Sequence, residues 1–134
     1  MGLIRETGPI SRADIVKVSG LSAPTITRIV EGLIRNEKLV VEVGMGNSNG
    51  GRPPLLVKFN GQQNYMIGVD LGATFTRAAL SNLDGKFINE IIIPTRLESG
   101  FDAIMEDLSD LIIRLCDTTN NVRKDRIFGI GILA

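Results

Sequence analysis

A chain of 134 residues, 43% hydrophobic and with 15 basic against 15 acidic side chains, can bury one moderate core or two small ones, and its composition excludes a disordered chain. No apolar run approaches the ~20 residues needed to span a bilayer, and Met1 is not followed by a basic-then-apolar leader, so a cytoplasmic protein with no membrane partner is expected. With no histidine and one cysteine, Cys116, the chain excludes His-dependent catalysis, zinc and an internal disulfide, and no catalytic residue, metal or cofactor is assigned.

In chain order, Met1 to Thr7 reads as less than about two turns of helix before Gly8-Pro9. Either an earlier helix lies upstream or the domain begins unusually short. Ser11-Arg12-Ala13-Asp14 is a capping-box pattern with Ile10 and Ile15 placed to staple over it, so a short helix starts there and runs to Gly20, a natural C′ residue. A tight turn through Gly20 and Leu21 leads to Ser22, a good N-cap, with Pro24 in the first turn. In the helix that follows, Ile26, Ile29, Val30, Leu33 and Ile34 fall at the spacing of a buried stripe, and Pro24, Thr25, Arg28, Glu31 and Arg35 fall opposite. Helix, Gly-containing turn, second helix is the pattern of a helix-turn-helix, whose second helix reaches base edges in the major groove.

Through Lys58, eight basic residues stand against five acidic ones, an excess of about +3 that suits a phosphate-facing surface and is balanced by an acidic remainder. After Arg35 the period becomes strand-like over Leu39 to Val43 and again over Leu55 to Phe59, predicting a two-stranded hairpin. Its Gly/Asn/Ser-rich tip, residues 44–54, is too long for a tight turn, and its one charged residue is Arg52. After a helix-turn-helix such a hairpin is a wing, and Arg52 could enter a minor groove or grip phosphate; a plain linker is the competing reading. A P-loop is excluded, since no Gly-Lys-Ser/Thr ending follows.

Polar residues 60–64 mark a domain boundary, giving domains 1–60 and 61–134. Beyond it a strand over Met66 to Val69 ends in the turn Asp70-Leu71-Gly72-Ala73-Thr74. Strands over Phe75 to Ser81 and Phe87 to Pro94 follow, joined by the turn Asn82-Leu83-Asp84-Gly85. Ser99 is expected to cap a helix with Phe101, Ile104, Met105, Leu108, Leu111, Ile112 and Leu115 on one face; Cys116 in the same helix should pack as a small hydrophobe. The strand over Ile127 to Leu133 should run parallel to the first. Asp70, Gly72 and Thr74 are placed as a turn that could hold hydrated Mg²⁺ and cradle phosphates, although Asp-Leu-Gly also occurs in ordinary turns.

Taken together, Pro9-Ile10-Ser11-Arg12, Gly20-Leu21-Ser22 with Thr25 to Arg28, Gly50-Gly51-Arg52-Pro53-Pro54 and Ile67-Gly68-Val69-Asp70-Leu71-Gly72-Ala73-Thr74 resemble the ROK family of repressors, open reading frames and kinases. The branch implied is the sugar-responsive repressors of the xylose and N-acetylglucosamine type. The fold class implied is α/β plus all-α/winged: a winged helix-turn-helix followed by the start of an actin-like (ribonuclease H-like) ATPase/sugar-kinase fold. The resemblance places Ser22, Thr25, Thr27 and Arg28 at the major groove, Arg52 in the wing or minor groove, and Ser11 and Arg12 at phosphates. It matches Asp70, Gly72 and Thr74 to the family's first phosphate motif, as scaffold first and nucleotide site second, since kinases usually carry Gly where Ala73 stands and a methyl there can crowd a phosphate.

The expected function is therefore a non-enzymatic, DNA-binding regulator, a repressor of sugar-utilisation genes. It would be a homodimer on an operator, with a sugar or sugar-phosphate effector only if the missing C-terminal part is present. Ala134 is expected to end the chain before the sugar-contacting residues and catalytic Asp of the family. The alternatives are a fragment of an ATP-dependent sugar kinase using Asp70, and a protein-interaction module.

Overall fold

The predicted caps set the first elements of the computed structural model, which describes residues 1–134. Helix α1 spans Gly2–Thr7, strand β1 Ile10–Ser11, α2 Arg12–Ser19 and α3 Ala23–Arg35. Ser11 caps α2, its Oγ accepting the Asp14 N–H at 3.1 Å and donating to Asp14 Oδ2 at 2.7 Å. Gly20 ends α2 in the left-handed conformation, φ 72°, with its N–H on the Val16 carbonyl. Ser22 caps α3 by accepting the Thr25 N–H. Strands β2, Val40–Met45, and β3, Leu55–Phe59, are antiparallel, with a bulge between Glu42 and Gly44.

One expectation is corrected here. The sheet has three strands in the order β1-β3-β2, because Ile10 and Ser11 pair with Val57 and Leu56. Two residues are too few to show alternation, so β1 is invisible to periodicity and forms only because β3 offers a free edge. The core gathers Ile4, Ile15, Ile26, Val30, Val40 and Val57. Ile29, expected inside, is 43% exposed. At about 100° per residue it lies the furthest of the five apolar positions from the Ile26–Val30 midline of α3.

By contact the chain divides into two compact units, Met1–Asn60 and Gly61–Ala134. The second holds β4 (Tyr65–Leu71), β5 (Phe75–Asn82), β6 (Phe87–Pro94), α4 (Gly100–Thr118) and β7 (Ile127–Leu133), in a sheet ordered β6-β5-β4-β7. Strand β7 is parallel to β4 and the other pairs are antiparallel. Ile67, Val69, Ala78 and Leu80 meet Leu108, Leu111, Leu115 and Cys116 of α4 in its core.

Ser99 does not cap α4. It closes a 3₁₀ turn, Leu97–Ser99, in helical rather than extended conformation, and its side chain makes no cap bond. Phe101 and Met105, predicted to face the core, are 74% and 42% exposed. Phe101 precedes Ile104, where α4 begins to pack on the core, and Met105 falls at the edge of the covered stripe. No helix is long and apolar enough to cross a membrane.

Candidate nucleic-acid interface

Because Ile26 and Val30 hold one side of α3 in the core, the opposite side is fixed outward. Ser22, Pro24, Thr27, Arg28, Glu31 and Arg35 are exposed, and Thr25 is half-buried. Thr25 Oγ1 lies 2.8 Å from Ser22 Oγ, so these hydroxyls brace the first turn and each other. Ser11, which the motif match assigns to phosphate, is 3% exposed, and its hydroxyl is engaged by Asp14 on both its donor and acceptor sides. That bond and Lys17 Nζ at 3.4 Å hold the Asp14 carboxyl below its ordinary range.

Arg12, the first residue of α2, points across to β2, where its Nη2 donates to Glu42 Oε1 at 3.2 Å. Sequence reading missed this pair, since the partners are 30 positions apart and neither lies in a recognisable joint motif. Arg52 is exposed on the β2–β3 tip. The tip is closed at its base by the Gly46 N–H on the Pro54 carbonyl at 2.7 Å and within by Ser48 Oγ on the Gly51 carbonyl at 2.6 Å. A Cβ on Gly46 would stand 3.1 Å from a Leu56 methyl, a tight contact that glycine avoids. Ser22, Thr27, Arg28 and Arg52 thus offer hydroxyl and guanidinium donors at the surface of Met1–Asn60.

The Asp70-to-Thr74 segment lies in Gly61–Ala134. Asp70 and Leu71 belong to β4 rather than to the turn, and Asp70 is exposed opposite Arg77 of β5. Arg77 is turned instead to Glu90, at 3.6 Å. A Cβ on Gly72 would come within 2.7 Å of the Phe75 carbonyl oxygen, so glycine is demanded there by the chain itself. Thr95 brackets the turn: its N–H donates to the Thr74 carbonyl and its hydroxyl to the Gly72 carbonyl, both at 2.8 Å. With its proton so used, the Thr95 hydroxyl accepts that of Thr76 at 2.8 Å. Thr95 was not singled out from sequence, because its bonds depend on β6 returning beside β5.

No protein-family profile matches the chain. The xylose repressor of Bacillus spizizenii is 34% identical over 129 residues, covering 96% of this chain and 33% of that protein. The xylose repressor of Bacillus subtilis is 32% identical over the same length. The DNA-binding transcriptional dual regulator NagC of Escherichia coli is 34% identical over 88 residues, 66% of this chain and 21% of that one. The chain thus spans about a third of the length of the xylose repressors it matches. A crystal structure of a ROK family transcriptional regulator, a homologue of the Escherichia coli Mlc protein, superposes with a TM-score of 0.70 at 24% identity, covering 98% of this chain and 33% of that one. Over about a third of their length, the chain is similar in sequence to the xylose repressors and in fold to a ROK family transcriptional regulator.

Proposed function

We propose that Met1–Asn60 is a winged helix-turn-helix that binds operator DNA, and that the protein is a repressor of sugar-utilisation genes, working as a homodimer and without enzymatic activity. The observation that carries the reading is α3: a capped helix whose buried stripe forces Thr27, Arg28 and Arg35 outward, with exposed Arg52 on the following hairpin. Arg28 reads a base edge in the major groove, Ser22, Thr25 and Thr27 line the same face, and Arg52 on the wing takes phosphate or the minor groove. Ser11 acts on phosphate only indirectly, by starting α2 where Arg12 projects. The names of the relatives support a sugar-linked regulon, and a sugar or sugar-phosphate is the class of effector proposed.

Asp70, Gly72 and Thr74 serve here as scaffold, since Gly72 and the Thr95 bracket account for the turn without a nucleotide. The reading is tested by selecting duplexes from a randomised pool and measuring the enriched sequence against Arg28→Ala. A loss of roughly 1 to 3 kcal/mol, concentrated at one base pair, is expected. Failure to enrich any sequence, or an enriched sequence indifferent to Arg28→Ala and Arg52→Ala, overturns it.

A further inference from the structure

The Arg12–Glu42 contact differs from the two-pronged arginine pairs of the molecule. Arg96 grips Asp107, and Arg123 grips Asp125, each through both Nε and Nη2, the two-pronged arrangement that suits a carboxylate. Arg12 gives Glu42 only Nη2, at 3.2 Å, while its Nε is buried with no partner. A buried cationic N–H without an acceptor is costly, and nothing in the fold of Met1–Asn60 relieves it. Glu42 stands at the edge of the bulge between Glu42 and Gly44. The side chains are 26% and 44% exposed, so the pair is reachable by a competing anion.

Resting on the duplex-binding reading above, we propose that Arg12 is a phosphate ligand held in reserve by Glu42. In the free protein the Glu42 carboxylate occupies one N–H of a guanidinium that could donate more. On the duplex, a backbone phosphate displaces it and takes the guanidinium, whose position at the start of α2 suits the helix that lies across the backbone. Glu42 is then a positioning residue that lowers affinity for DNA by competition, and it does so only through Arg12.

The test is a fluorescence-anisotropy titration with a mixed-sequence duplex of about two helical turns, over a series of KCl concentrations. The proteins are wild type, Glu42→Gln, Arg12→Ala, Arg12→Lys and the Arg12→Ala/Glu42→Gln double variant, with thermal unfolding of each recorded alongside. Glu42→Gln should bind roughly two- to fivefold tighter at low salt. In the Arg12→Ala background the same change should give less than half that gain. Arg12→Ala should flatten the slope of log K against log salt by about one, and Arg12→Lys should restore it. An equal gain in both backgrounds would mean that Glu42 simply repels phosphate, and no gain would mean that the pair only fastens α2 to β2; either overturns the proposal. Wild-type binding that ignores salt would remove the duplex reading and this proposal with it. Salt-dependent binding without an Arg12-dependent gain removes the reserve alone.

Discussion

Residues Met1–Asn60 close their core with three helices around a three-stranded sheet, and the outward face of α3 carries hydroxyls and guanidinium groups. Residues Gly61–Ala134 lay one helix on one face of a four-stranded sheet, packing it on β5 and β6. Ile130 and Ile132, registered beside buried Ile67 and Val69, are still 49% and 54% exposed, and Phe75 and Ile92 are exposed elsewhere on the sheet. The same alternation of apolar residues therefore has different consequences in the two units. On α3, Thr27, Arg28, Glu31 and Arg35 stand outward beside half-exposed Ile29 and can recognise a polar partner. Along β7 the exposed groups are apolar and name no polar partner.

The largest effects should come from the two cores. Ile26→Ala and Leu111→Ala should each cost about 2 to 5 kcal/mol, since both side chains are buried and leave cavities. Amide hydrogen exchange should accelerate in the unit that carries the substitution and not in the other. Acceleration in both would break the comparison.

Next come two glycines of Gly61–Ala134, one in the turn between β4 and β5 and one in β7. Gly72→Ala places a methyl 2.7 Å from a backbone oxygen and should destabilise by about 1 to 3 kcal/mol. Gly131→Ala meets nothing within 4 Å and should stay within about 0.5 kcal/mol. Denaturant titration of both variants separates a glycine required by the turn from one that merely lies on an open face. Ser22→Ala should cost about 1 kcal/mol through the lost cap of α3, with the helix start fraying first by amide exchange.

The smallest effect is acid sensitivity. The Asp14 carboxyl is lowered by Ser11 and Lys17, and that of Asp107 by Arg96. A carboxyl lowered in the fold contributes stability that is fully present above its ordinary value of 3.8 and is lost as pH falls through the lower folded value. Asp14→Asn should therefore reduce the acid dependence of unfolding in Met1–Asn60, and Asp107→Asn in Gly61–Ala134. Unfolding followed from pH 6 down to about pH 2 checks the assignment, and an unchanged slope would count against it.

Much of this was legible in the residues because it is local. Ser11, Gly20 and Ser22 punctuate α2 and α3 within four positions of what they cap, and the stripe of α3 needs only its own spacing. The motif run from Pro9 to Thr74 likewise pointed to the relatives the chain matches in sequence and fold. The rest depends on segments that meet only after folding. Strand β1 borrows an edge from β3, Arg12 finds Glu42 on another element, and Thr95 closes a turn from two strands away. Ser99 had the right residue type for a cap but the wrong backbone, because a 3₁₀ turn had already formed around it. Ser11 shows that one residue can satisfy a family motif and yet face inward, its hydroxyl serving the helix rather than a ligand.

The central claim, that Met1–Asn60 meets a duplex with α3 and the hairpin tip, is tested most directly by amide chemical-shift mapping on titration with the selected duplex. Perturbations should concentrate at Ser22–Arg28 and Gly50–Arg52. Shifts confined to Gly61–Ala134, with α3 unmoved, would contradict it.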